Sequence, residues 1–154
     1  MAKAQAWDWK PPASLNSIMK VWLRLPLLHR LVSRQLLLLM FTGRKSGKSY
    51  TIPVGYLRQG QTIIILTKRF RTWWRNFQDS LPVTVRVEGQ DHRAQAQALT
   101  DTTVTIPIIT EVMIQHPGDA DFFGVRLPAP GQPDQDDIRR IAPEVIVLQI
   151  QLAD

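Results

Sequence analysis

The 154-residue chain contains no cysteine, which excludes disulfides, thiolate metal sites and thiol nucleophiles together. Histidine is nearly as scarce. His29, His92 and His116 are widely separated and share no metal-ligand spacing, so no metal site is expected. No Ser/His/Asp grouping suggests nucleophilic catalysis. Long apolar runs are missing too: the longest, Leu36–Phe41, falls far short of the ~20 residues a membrane-spanning helix needs. A secretory leader is not expected, because Asp8 lies where a leader is basic, and Lys20 and Arg24 interrupt the apolar stretch behind it. The remaining composition, 44% hydrophobic and 21% charged, suits one core of ordinary globular type. A single domain over 14–154 behind a loose tail at 1–13 is the expectation, with a cytosolic location fitting the lack of cysteine.

Acidic residues are sparse over most of the length. Residues 1–93 carry 16 Lys/Arg against 4 Asp/Glu, a net of +12, whereas residues 94–154 carry 3 against 9, a net of −6. A positive field of that size favours anionic partners such as phosphates, nucleic acid or acidic lipid headgroups, and says nothing about fold.

Periodicity places the elements. From Leu15 to Arg34 the residues Ile18, Trp22, Leu25, Leu28 and Val32 recur at helical spacing among Lys20, Arg24 and Arg30, with Pro26 expected to kink the segment. Such a basic amphipathic helix covers a barrel or lies on an anionic membrane. Gln35–Thr42, Ser49–Leu57 and Gln61–Thr67 read as strands, the last two joined by an Arg58–Gln61 turn. Arg71–Ser80 reads as a short helix. Pro82–Glu88 and the Ala94, Ala96, Ala98 alternation read as half-buried antiparallel strands. In Val104–Gln115 the β-branched residues favour a strand, but the position before His116-Pro117-Gly118 suits a helix, and helix is the reading. Asp119–Pro133 reads as loop, Asp136–Arg140 as a helical turn and Pro143–Leu152 as a last strand. The implied class is mainly β with α: about six antiparallel strands in a barrel, with an N-terminal helix and one or two short peripheral helices.

Between the first two strands Thr42–Ser49 reads TGRKSGKS, with two glycines, three cations and two serines after Thr42. This is phosphate-binding chemistry: glycine lets the backbone turn and present N–H groups, Arg44 offers a bidentate fork, and Lys45 and Lys48 add point charge. A nucleotide-triphosphate loop is excluded by spacing, since Gly43 and Gly47 enclose three residues where that loop needs four. The bland alternative is a solvated hairpin loop.

The string LLLLMFTGRKSGKSYTIPVGYLRQGQTIIILTK, followed by TWWRNFQDSLPVTVRVEG, resembles the deazaflavin-dependent nitroreductase family, also described as deazaflavin-dependent quinone reductases. The resemblance runs from about Arg30 to Thr100. It rests on ordered elements: the apolar strand, the G-R-K-S-G loop, Pro53, the hairpin, Thr67-Lys68, the Trp73-Trp74 pair with Asn76, and a V-x-V strand. It implies a split β-barrel related to flavin reductases and pyridoxamine-phosphate oxidases, an oxidoreductase that binds the reduced deazaflavin coenzyme F-420 and passes hydride to a quinone, nitro or enone acceptor. FMN is the alternative cofactor.

By match to the family motif, Arg44, Lys45, Ser46 and Gly47 would hold the coenzyme's phosphate and acidic tail, with Lys48 and Thr51 beside them. Ile65, Leu66, Thr67 and Lys68 would lie beside its ring, and Trp73, Trp74 and Asn76 would close that pocket. Neighbouring Trp73 and Trp74 cannot both face a core from one helix, so one ring is left to pack or to stack on a ligand. Three departures stand out. The loop after Lys68 is shortened to Arg69-Phe70-Arg71-Thr72, the motif's later Arg is Tyr50, and the tyrosines of relatives have no clear match, with Phe122 and Phe123 in the comparable region. A non-catalytic barrel binding flavin, haem or fatty acid is therefore the competing class. Nucleic-acid binding through the basic part, with Trp73 and Trp74 stacking bases, ranks below both because residues 94–154 are acidic. A hydrophobic electron acceptor, peripheral membrane contact on the cytoplasmic face and a homodimer complete the partners the resemblance implies.

Overall fold

The computed structural model describes residues 36–153. The tail at 1–13 and the amphipathic helix expected over 15–34 lie outside the described residues. Among the described residues seven strands are hydrogen-bonded into one sheet in the order β2-β1-β5-β6-β7-β4-β3. They are β1 (Leu36–Thr42), β2 (Ser49–Gly55), β3 (Leu57–Gln59), β4 (Thr62–Lys68), β5 (Leu81–Val87), β6 (Gln90–Leu99) and β7 (Val145–Leu152). Three α-helices, α1 (Thr102–Gln115), α2 (Pro117–Phe123) and α3 (Gln135–Ile141), fall between β6 and β7. The class is the expected one, mainly β with short helices, a split β-barrel topology.

The chain divides into two compact units. The first holds β1, β2, β5, the beginning of β6 and the residues after 151. There β1 is the central strand, antiparallel to β2 from Leu36↔Gly55 to Thr42↔Ser49 and to β5 through Leu39↔Val85. Its leucines explain the position: Leu37, Leu38 and Leu39 are all buried, as a strand covered on both faces requires. On β5 and β6 the alternation is clean, with Val83, Val85 and Val87 and then Ala94 turned inward.

The second unit holds β3, β4, the end of β6, all three α-helices and nearly all of β7. Strand β4 runs antiparallel to β7 over seven pairs, from Thr62↔Gln151 to Lys68↔Val145. Ile109, Val112 and Met113 of α1 and Ile138 and Ile141 of α3 pack with Val145 and Val147 of β7 in one apolar cluster.

Several local outcomes differ from expectation for identifiable reasons. The strand expected over Ser49–Leu57 is interrupted at Tyr56, so that the chain makes two strands, β2 and β3. The helix expected over Arg71–Ser80 is a five-residue 3₁₀ helix, Trp73–Phe77, whose Thr72 cap makes no side-chain hydrogen bond. Where loop was expected after His116, α2 forms, because Pro117 fits a first helical turn and Gly124 closes the helix at φ 75°. The helical reading of Val104–Gln115 holds. Asp101 caps it, its carboxylate accepting from the Thr103 backbone N–H and hydroxyl.

Candidate functional site

The TGRKSGKS segment joins β1 to β2 inside the first unit, and its backbone closes on itself. The Gly43 N–H donates to the Lys48 carbonyl at 2.8 Å, and the Gly47 N–H donates to the Gly43 carbonyl at 3.0 Å. Gly47 sits at φ 66°, the left-handed region that favours glycine. Gly43 is buried, and a Cβ there would come within 2.6 Å of Ser46 Oγ and 2.8 Å of the Tyr50 ring. Side chains complete the arrangement. Ser46 Oγ accepts from the Lys48 N–H at 3.2 Å and shares a 3.1 Å hydrogen bond with the Tyr50 hydroxyl. The Tyr50 ring stacks on Phe41, its register partner across the two strands, at 5.5 Å between centroids.

Both glycines are thus required by geometry, and the loop's shape is fixed from within. Arg44, Lys45 and Lys48 all stand exposed on it. No acidic residue lies between Thr42 and Thr51. The strand that leaves the loop is β2, so no helix N-terminus contributes here. Tyr50 props Ser46 through its hydroxyl.

At the foot of this loop the first unit has a cleft of about 690 Å³. Its lining includes Thr42, Tyr50 and Thr51 from the hairpin, Thr84 from β5, and Arg93 and Gln95 from β6. That size falls within the range of small-molecule sites. Arg93 and Gln95 were visible in the sequence only as the outward half of an alternating strand. Nothing in their spacing tied them to a loop some 45 residues earlier.

The other candidate residues lie in the second unit. Ile65 and Thr67 of β4 are buried, and Leu66 and Lys68 are half-buried. Lys68 Nζ lies 4.4 Å from the centroid of Phe122, which in turn meets Phe123 edge to face. Of the tryptophan pair, Trp74 is the buried ring. Its indole N–H donates to the Arg69 carbonyl at 3.0 Å, and the guanidinium groups of Arg69 and Arg75 lie over its faces. Trp73 is half-buried and meets Phe77 edge to face. The Asn76 amide donates to the Trp73 carbonyl at 2.8 Å within the short helix. Among the described residues no group of His, Asp or Glu could hold a metal ion.

A buried carboxylate organises the connection before α3. Asp137 accepts from the Arg126 backbone N–H at 3.0 Å and from its guanidinium at 2.7 Å, and Arg140 adds a contact at 3.2 Å. The Arg126 hydrogen bonds hold the Asp137 carboxyl far below the usual carboxylate range. Asp119, by contrast, is pushed up by burial, with the neighbouring His116 opposing the shift.

Comparison with known proteins agrees with the ordered motif around this loop. The family described as F420H(2)-dependent quinone reductase matches residues 24–112, more than half of the chain. The chain belongs to that family. No curated protein matches it. Among solved structures, one described as a domain-swapped dimer aligns at 14% identity with a TM-score of 0.55, covering 90% of this chain and 96% of that one. An FAD-binding protein from Mesorhizobium loti aligns at 14% identity and TM-score 0.49, covering 80% and 85%. The FAD and heme binding protein from Mycobacterium smegmatis aligns at 13% and 0.46, covering 82% and 71%. The first of these likenesses shows a shared fold. Redox chemistry with F-420 is what the family's description carries; the matched span includes the Gly43–Lys48 loop, β4 and the 3₁₀ helix.

Proposed function

We propose that this member of the quinone reductase family binds the reduced deazaflavin coenzyme F-420, or FMN in its place, and delivers hydride to a quinone, nitro or enone acceptor. The observation that carries the reading is the loop. Three exposed cations stand on a backbone held by a buried Gly43, a left-handed Gly47 and the Ser46–Tyr50 hydrogen bond. That donor set fits a phosphodiester extended by carboxylates, which gains from a guanidinium fork and two ammonium groups. In such an enzyme the cofactor supplies the hydride, and the protein binds and orients.

Arg44 takes the phosphate, Lys45 and Lys48 the acidic extension, and Ser46 and Gly47 set the loop's curvature. Thr51, half-buried on β2, adds a hydroxyl at the cleft wall. In the second unit the family resemblance assigns Ile65–Lys68, Trp73, Trp74 and Asn76 to the ring. Of these, Leu66, Lys68, Trp73 and Asn76 are partly exposed and can touch a ligand, whereas Ile65, Thr67 and Trp74 shape the strand and turn that carry them.

Absorbance titration with reduced coenzyme tests the assignment. Arg44→Ala combined with Lys45→Ala removes two charge-assisted contacts and weakens binding at least about tenfold. Equal affinity of variant and wild type would remove the loop from the site. Yellow colour that copurifies with the protein favours FMN over the deazaflavin.

A second reading, a non-catalytic barrel that holds flavin, haem or fatty acid, draws on Phe122. The ring that faces Lys68 has no hydroxyl to donate to an acceptor. Bound reduced coenzyme that fails to turn over with a soluble naphthoquinone would support it.

A further inference from the structure

Arg93 is a cation of the first unit's cleft that the fold itself does not use. It stands exposed near the start of β6, beside the buried Ala94. The backbone beneath it is fixed, because the Ala153 N–H donates to the Arg93 carbonyl at 2.8 Å. Its guanidinium makes no hydrogen bond, ion pair or ring contact with any described residue. Arg86 on the neighbouring strand shows the contrast: both oxygens of the Asp91 carboxylate hold it, at 2.5 and 2.9 Å. A strand therefore positions Arg93, and its charge is left for something that enters the cleft.

The order of the sheet sets how long that ligand must be. Strand β2, which leaves the loop, is followed across the sheet by β1, β5 and β6. Three strand spacings, about 14 Å before curvature shortens the path, thus separate β2 from Arg93. A bare phosphate held by Arg44 does not reach so far. A ligand that continues beyond its phosphate with more negative charge does, and none of the side chains lining the cleft is acidic.

We infer that Arg93 is a specificity residue for the coenzyme's acidic extension: it takes a carboxylate of a glutamate tail that leaves the phosphate at Arg44 and crosses the cleft. The inference rests on the deazaflavin reading given above. A guanidinium grips a carboxylate through two parallel N–H donors. Gln95, two residues on along the same face of β6, adds an amide beside it, and Thr84 adds a hydroxyl from β5. Lys45 and Lys48 meet the extension where it leaves the loop, and Arg93 meets its far part. The site thereby prefers a long-tailed coenzyme to a truncated one. It also prefers that coenzyme to FMN, which ends at its phosphate and leaves Arg93 without a ligand group.

Fluorescence titration of the full chain with coenzyme bearing several glutamates, and with the form truncated before its first glutamate, reads the tail directly. The wild type binds the long form about fivefold tighter at low salt, and the preference shrinks as salt screens the pair. Arg93→Gln loses the preference, so that the two forms bind alike, and Arg93→Lys keeps part of it. Gln95→Glu, which sets a carboxylate beside Arg93, turns the preference toward the truncated form. All three keep the wild-type thermal midpoint, because both side chains are exposed. Equal binding of the two forms by the wild type overturns the inference, as does a preference that survives in Arg93→Gln. An equal loss for both forms in that variant puts the phosphate itself on Arg93 and overturns it too. A wild type that binds neither form is a different result: it defeats the deazaflavin reading, and the inference with it.

Discussion

Gly43→Ala tests whether the cation-bearing loop is a shaped element. The new Cβ would lie 2.6 Å from Ser46 Oγ and 2.8 Å from Tyr50 Cε2, both too close for real atoms. Gly43 is not among the residues at positive φ, so the effect is one of contact and not of backbone strain. Ser46 can rotate away, but it then gives up its hydrogen bonds to the Lys48 N–H and the Tyr50 hydroxyl. The Tyr50 ring must also leave its stack on Phe41. Two exposed hydrogen bonds at about 0.5 kcal/mol each and one stacked pair at about 0.5–1 kcal/mol set the loss. Reduced freedom of the unfolded chain offsets roughly 0.4–1 kcal/mol of it. The net destabilisation is about 0.5–1.5 kcal/mol, or a fall of ~2–5 °C in Tm for a chain this long.

Coenzyme affinity falls with it, because the displaced Ser46 no longer holds the turn that presents Arg44 and Lys45. The decisive assay is a double-mutant cycle followed by thermal denaturation. In a Tyr50→Ala background the ring that meets the new methyl is gone, and Gly43→Ala becomes milder by at least about 0.5 kcal/mol. Additive effects in that cycle, or an unchanged Tm for the single variant, would refute the packing argument.

Three further outcomes follow. Arg44→Ala with Lys45→Ala weakens coenzyme binding at least about tenfold in an absorbance titration while leaving Tm within a degree or two, since both side chains are exposed. Trp74→Ala removes a nearly fully buried ring and its hydrogen bond to Arg69, and costs about 3–5 kcal/mol in urea denaturation. Trp74→Phe keeps most of the packing and costs about 1 kcal/mol. Asp137 has a depressed folded-state pKa, so its contribution is present above the ordinary carboxylate value of 3.8 and is lost as pH falls through the folded value. Asp137→Asn therefore lowers Tm at pH 7 and flattens the acid side of the stability profile below about pH 4, measured by circular dichroism.

The strands and the loop were legible because each is a local pattern. LLLLMF and TIIIL announce buried strands by composition alone, and TGRKSGKS combines the residues a tight basic turn requires. Elements set by their ends were harder to place. Gly124 at φ 75° turned an expected loop into α2, and Tyr56 divided an apparently continuous strand. Pairings between distant residues could not be read. Lys68 over Phe122, Arg69 on Pro143 and Arg126 on Asp137 each depend on the path of the backbone between them, which periodicity does not encode. Arg93 entered the cleft on the same terms. The tryptophan pair was half legible: adjacency required that the two rings differ in burial, but packing chose Trp74.

The order of the sheet leaves β2 and β3 as its outermost strands. Neither invites a stranger. β2 carries Pro53, which has no N–H to offer an arriving chain, and β3 is three residues long, with the Arg58 guanidinium folded back on the Gly60 carbonyl. A protein rich in branched apolar strands thus has poor templates for fibre growth. Concentrated solutions should stay clear for as long as the fold is intact, and turbidity on warming should track unfolding instead of preceding it.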